Sequence, residues 1–436
     1  MSDTISAVWK AVEEDRDYVV GLTRDIVRIP SVNPKFQADP AINREADVQT
    51  RLAGELEALG FGIDRWDVFP NRPNLTGEWA GNDEKSLILC GHVDVVPVGD
   101  QSKWDCDPFG GDIKDGRIWG RGAVDMKAGV AACVAAARAV RKAGVKLDGR
   151  LAIHTVVDEE AGGFGAMDLV KRSRLAKSAI IAEPTWGNIV PAEGGLTWVR
   201  VTIFGKQAHA GWRFNSIWPQ PHVEGRLTPG VNAIELATRF LMALRDFETS
   251  RCRDNWHPLV PAGLATINPG VIRGGAGIGP DGTPAIMTNA AIIPDIVTID
   301  LDYKFMPQEK FEDVKAEFEN FVHHFAASDA WMRDHPPAIE WDLFGLNFPP
   351  MNTPVDAPIV QSLNRRAMEV QAKAPLIKGF EAVTDAAHYA GAGVVPVIYG
   401  PAGDGFHGDN ECVEIDSLVE TTKVIAAAII DTCGTA

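Results

Sequence analysis

From residue 86 onward, apolar runs of strand length alternate with stretches of helical periodicity. SLILCGHVD precedes the alanine-rich MKAGVAACVAAARAVRKAG, and RLAIHTVVDEE follows, then a short helical pattern and KSAIIAEP. Runs apolar at consecutive positions suit strands buried on both faces, and their alternation with helices predicts an α/β layer around a mostly parallel sheet. Ahead of them the chain reads as an N-terminal helix, a loop around RIPSVNPK, a second helix over EADVQTRLAGELEALGF and short β-like runs.

Around residue 196 the period changes. LTWVRVTIFG alternates with period two, and a Trp-, Pro- and Gly-rich loop follows it. A helix over VNAIELATRFLMALRDFE, strand runs near 264–272 and 291–305, and a helix over QEKFEDVKAEFENFVHHFA come next. Strand–helix–strand–strand–helix–strand is the ferredoxin-like plan. After residue 350 the first pattern returns, with a helix near 357–372, VVPVIYGPAG and a closing helix over SLVETTKVIAAAIIDT. The expected α/β architecture is a catalytic domain over 1–195 and 347–436, its mostly parallel central sheet flanked by helices, with an inserted ferredoxin-like α+β lid and dimerisation domain over 196–346.

Charge narrows the partners. Among 436 residues, 42 Lys and Arg face 59 Asp and Glu, a net −17 that disfavours nonspecific binding to nucleic acid or an anionic membrane. The N-terminal residues lack the basic start and apolar core of a signal peptide, and no run of about 18 apolar residues is present. A cytoplasmic protein with a small-molecule substrate is expected. The cysteines Cys90, Cys106, Cys133, Cys252, Cys412 and Cys433 form no C-x-x-C pair and read as reduced thiols.

Several strand candidates end in histidines or carboxylates: His92 and Asp94 after SLILCG, Glu159 and Glu160 after LAIHTVVD, Glu183 after SAIIA, and His407 beyond VVPVIYGPAGDGF. Ligands of open α/β sheets bind beyond the carboxyl ends of strands, so these groups are expected to converge, joined by Asp125 from WGRGAVDMKAG. Asp125, Glu160 and Glu183 in one pocket would repel one another unless cations neutralised them. Two divalent metals sharing one carboxylate meet that demand, and mixed imidazole and carboxylate donors suit zinc first, then cobalt or manganese.

His92 and Asp94 are two apart, so on a continuing strand they share a face, and the Asp94 carboxylate is expected to orient the imidazole. Adjacent Glu159 and Glu160 cannot share a direction, so one is expected to bind metal and the other to act as general base. His209, in GKQAHAG, either packs on Trp198 or Trp212 or serves the site. His222, His257, His323, His324, His335 and His388 read as structural, and Cys90 and Cys412 as buried neutral thiols.

These motifs, with PGVNAIE and VTDAAHYA…YGPAGDGFHGDNECV, occur in an order that resembles the dinuclear zinc amidohydrolases. That family includes acetylornithine deacetylase, succinyl-diaminopimelate desuccinylase, aminoacylase and glutamate carboxypeptidase. The resemblance implies that Asp125 bridges two metals, that His92 and Glu183 complete one site, that Glu160 and His407 complete the other, and that Glu159 is the general base. It also implies that His209 reaches the active site of a second subunit and steadies the oxyanion, hence a homodimer through the inserted domain. Glu183 stands where several peptidase-like members carry Asp, which favours deacylation of an N-acyl amino acid or related small acid by a metal-bridging hydroxide. The alternatives are a dipeptidase or carboxypeptidase, a hydrolase of an aromatic-amine or amino-acid conjugate, and a noncatalytic binding protein on the same fold.

Two departures from the family stand out. AIIPDIVTIDLDYKFMP is similar to the family's N-x-V-P…D-x-R-x-x-P, but Ala291 replaces its Asn and Lys304 its Arg. Lysine is a point charge where arginine is a fork, so Lys304, Asn232 and Arg273 are the candidate substrate-binding residues, with Arg213 a further stand-in. The insert GWRFNSIWPQPHVEGRLTPG after His209 is either a rigid surface loop or a pocket wall, where Trp212, Phe214 and Trp218 would favour an aromatic or apolar substrate.

Overall fold

The computed structural model of the chain describes residues 3–213 and 230–436, so Phe214, Trp218 and His222 lie outside the described residues. Met1–Glu193 together with Met351–Ala436 forms one compact unit, and Gly194–Pro350 forms a second.

In the first unit the apolar runs become the strands Asn82–His92, Gly149–Val156, Ser178–Ile181 and Val395–Ile398, paired in parallel at the centre of a nine-stranded sheet. Every residue of Gly149–Val156 is buried, as a strand covered on both faces requires. Gly62–Phe69 and Arg72–Trp79 extend the sheet antiparallel on one side. Ile189–Glu193 joins antiparallel on the other, followed by Met351–Asn352, while Ile377–Phe380 pairs with it in parallel.

Small side chains let the layers close. The helix Ala128–Lys142 is buried along almost its whole length and packs against both Ile415–Cys433 and Asp3–Glu14. At Gly129 the approach is so tight that a Cβ would stand 1.9 Å from the carbonyl oxygen of Ala182. Asp125 lies just before this helix and Glu183 just after Ala182, so the contact also sets the spacing of two candidate site residues.

The second unit is built on period two. Val199, Val201 and Ile203 of Gly195–Phe204 face a core with Phe240 and Leu244 of helix Ala233–Asp254 and Phe318 and Val322 of helix Phe311–Ala327. Between them Arg200 pairs in two-pronged fashion with Asp300 on the neighbouring strand, at 2.6 and 3.0 Å. The antiparallel order runs Pro284–Ile286, Ile267–Ile278, Ile296–Phe305, Gly195–Phe204, Ala338–Trp341, with Asn347–Phe348 also on Gly195–Phe204. Strand Gly195–Phe204, helix Ala233–Asp254, strands Ile267–Ile278 and Ile296–Phe305, helix Phe311–Ala327 and strand Ala338–Trp341 follow the ferredoxin-like plan. Among the described residues no helix is long and apolar enough to cross a membrane, and all six cysteines are free.

Replacing Gly129 with Ala should force the helix off the end of strand Ser178–Ile181 and cost about 1–3 kcal/mol of stability. A denaturant melt of the variant beside the wild type measures this.

Candidate metal centre

The strand Asn82–His92 delivers His92 fully buried at its carboxyl end. The Nδ1 of this ring lies 2.9 Å from the backbone carbonyl of Asp94, which turns Nε2 toward three carboxylates: Asp125 at 3.2 Å, Glu183 at 3.6 Å and Glu159 at 3.9 Å. The expected role of the Asp94 carboxylate is therefore corrected. It stands 3.7 Å from the imidazole because the strand ends at His92, and it accepts instead from the amides of Glu159 (3.1 Å) and Glu160 (3.2 Å) and from Asn33 Nδ2 (2.8 Å).

Asp125 enters from the turn before the alanine-rich helix. Buried Glu411 holds that turn by accepting from the backbone amides of Gly122, Val124 and Asp125 at 2.9–3.0 Å, and it is itself paired with Arg121 at 2.6 Å. The two oxygens of Asp125 then serve different histidines, Oδ1 facing His92 and Oδ2 lying 3.3 Å from His407 Nε2. His407, in a left-handed backbone conformation (φ 53°), also places Nε2 3.0 Å from Glu160. Donor atoms of His92, Asp125 and Glu160 fall within 4.8 Å of one another, as do those of His92, Glu159 and Glu183.

This crowd of acids draws in positive charge. Burial pushes Glu159 and Glu183 well above the usual carboxyl range, and burial with the nearby Asp125 charge raises Glu160 to about 7. Burial alone would lower His92, yet Glu183, Asp125 and Glu159 hold it well above the ordinary imidazole value. Hydrogen bonds to Asp125 and Glu160 raise His407 to about 10. Asp125 is held low, against its own burial, by the same two histidines. Two imidazole nitrogens and a surplus of carboxylate oxygens make a donor set that fits divalent cations, which would supply the charge now drawn as protons.

The other named residues lie in the second unit. His209 is exposed; its ring centroid is 6.3 Å from that of Trp212, and Nδ1 accepts from the Gly211 amide at 3.0 Å. Trp198 is engaged elsewhere, with Asp302 and Phe344. Asn232 and Arg273, expected at the substrate, are occupied within their own unit. Asn232 caps the helix Ala233–Asp254 by accepting from the amides of Ile234 and Glu235, and Arg273 donates to Asp300 at 3.0 Å. Arg213 pairs with Glu235, and Lys304 is half-buried on Ile296–Phe305.

Sequence reasoning passed over Asn33, Glu411 and Asp385. Asp385 is fully buried with neither carboxyl oxygen hydrogen-bonded among the described residues, and burial raises it to about 8. Glu411 and Asp385 sit inside the quoted GDNECV and VTDAAHYA motifs, the one signal that could have pointed to them.

Residues 88–431 match the model of peptidase family M20/M25/M40. The chain belongs to this family. It is a metal-dependent hydrolase acting on the C–N bond of a small molecule. It is 34% identical to an N-formyl-4-amino-5-aminomethyl-2-methylpyrimidine deformylase of Bacillus subtilis, over 100% of this chain and 99% of the relative. The fold is similar to that of aminopeptidase PepT from Bacillus cereus, with a TM-score of 0.69 at 22% identity, covering 96% of this chain and 98% of that one. It is also similar to a dinuclear metal-binding M20 peptidase of Bacillus subtilis, with a TM-score of 0.64 at 14% identity, covering 97% of this chain and 100% of that one.

Hydrogen bonds to Asp125 and Glu160 raise the His407 pKa to about 10, so a cation taken at its Nε2 near neutrality would displace a proton. Apparent zinc affinity, measured by chelator competition at several pH values below that point, should climb about tenfold per unit for each proton displaced. An affinity flat in pH would show that binding displaces no proton from the imidazoles.

Proposed function

We propose that this chain is an N-deacylase that removes a formyl group from a small heteroaromatic amine, using two divalent metal ions, zinc first among them. The observation that carries this reading is the division of Asp125, one oxygen toward His92 and the other toward His407. One ion would take His92, Asp125 and Glu183, and the other Asp125, Glu160 and His407, which leaves Glu159 without a ligand's task. When bound, the metals polarise the carbonyl and make a water acidic enough to attack near neutral pH. Glu159 takes the proton of that water and passes it to the amine nitrogen as the C–N bond breaks, releasing formate and the free amine.

The substrate class rests on the Bacillus relative and on Lys304. An N-acyl amino acid presents a carboxylate best met by an arginine fork, which is missing here, whereas the relative's named substrate has no carboxylate.

We propose a homodimer through the second unit as well. Strand Ile267–Ile278 is covered by Pro284–Ile286 only at Ala276 and Ile278, and its remaining edge exposes Val271 and Ile272. His209, accepting at Nδ1, carries its hydrogen on Nε2, a donor suited to the oxyanion in the second copy's site.

Formate release from N-formyl aminomethylpyrimidines should exceed amine release from N-acetyl amino acids or free dipeptides, and a chelator should abolish it. The opposite preference overturns the substrate reading. Glu159→Gln should lower kcat by about 10²–10⁴-fold with metal content unchanged, and a fully active variant removes Glu159 from the mechanism. Ile272→Asp should shift the sedimentation coefficient from dimer to monomer, and a wild type that already sediments as a monomer excludes the dimer.

A further inference from the structure

The loop RIPSVNPK has no part in the chemistry assigned so far, yet it is tied closely to the site. Ser31 Oγ donates to the Val93 carbonyl at 2.6 Å and the Asn33 amide to the Val95 carbonyl at 2.9 Å. The Asn33 side chain is buried and every one of its hydrogen-bonding atoms is used. Oδ1 accepts from the Lys35 amide at 3.0 Å, while Nδ2 donates both to Asp94 at 2.8 Å and to Asp158 at 3.0 Å. Asp158 is buried in a left-handed conformation (φ 68°), which a side-chain-bearing residue keeps only when its surroundings hold it there. Its carboxylate has two further partners, Arg72 at 2.9 Å and Lys35 Nζ at 2.5 Å. The Lys35 ammonium also reaches the Ala161 carbonyl at 3.3 Å, and it lies 4.1 Å from the Phe164 ring centroid.

Lys35 therefore grips the residue before and the residue after the Glu159–Glu160 pair, while Asn33 steadies the carboxylate that receives both glutamate amides. We propose that Lys35 and Asn33 are positioning residues that fix the aim of Glu159 relative to Glu160. The two glutamates are carried by one turn, so rotation of that turn displaces a base and a ligand together. Contacts on both flanks remove the rotation, as outer contacts do for ligands at metal centres generally. The inference rests on reading Glu159 as the base and Glu160 as a ligand.

The test uses the full-length, metal-loaded enzyme and the formylated pyrimidine. Lys35 is partly exposed, so Lys35→Met removes the ammonium without opening the core. Expected are a fall in kcat of about 10–100-fold, little change in KM, two metals per chain by elemental analysis, and recovery of most of the loss in Lys35→Arg. Asn33→Ser, which keeps a donor but cannot span both carboxylates, should show the same split between kcat and KM. An unchanged kcat with a lowered melting temperature would make the network purely structural and overturn the proposal. Loss of metal in proportion to activity would overturn it too, since the effect would then run through ligand binding, as would a Lys35→Arg variant no better than Lys35→Met. Wild-type enzyme whose turnover does not depend on Glu159 sinks the underlying reading and this proposal with it. Turnover that depends on Glu159 but ignores Lys35 sinks this proposal alone.

Discussion

Burying several acids in one place is the constraint on which the rest of the first unit depends. Asp125, Glu159, Glu160 and Glu183 meet at the carboxyl end of a sheet whose central strands are covered on both faces, where little solvent reaches them. Such a cluster survives only with a compensating charge and with a backbone stiff enough to resist its own repulsion. Protons on His92 and His407 can meet the first need, and divalent cations meet it in a metallohydrolase. The second is met by neighbours that never touch substrate: Glu411 under the Asp125 turn, Asp94 under the glutamate pair, and the Gly129 contact with Ala182.

Much of this was legible because burial leaves a strong mark on sequence. A strand covered on both faces must be apolar at successive positions, so SLILC, LAIHTVV and SAIIA announced a parallel sheet. A polar group at the end of such a run is conspicuous for the same reason, and His92, Glu159, Glu160 and Glu183 stand at such ends and lie close together in the structure. The period-two run LTWVRVTIFG was equally readable as one face of the second sheet.

The rest of the site depends on backbone geometry, which leaves a fainter trace in sequence. Side-chain alternation would set the Asp94 carboxylate beside the imidazole only if the strand continued, and this one stops at His92. Asn33, Lys35 and Glu411 act on carboxylates, a carbonyl and amides far away in the chain, and no spacing rule connects a residue in the thirties to a turn near 160. Arg273 is a candidate stand-in for the arginine that Lys304 replaces and Asn232 a candidate substrate contact, and in the structure Asn232 caps a helix while Arg273 pairs across strands with Asp300.

The Glu411 cradle bears on how the site forms. Three backbone amides and the Arg121 guanidinium converge on its carboxylate, so the turn carrying Asp125 is arranged by the polypeptide itself. The conformational entropy lost in ordering that turn is met during folding and is not charged against the later arrival of an ion. Affinity at this centre is then governed by donor atoms and their competing protons, and preorganisation, rather than coordination, gives the turn its shape.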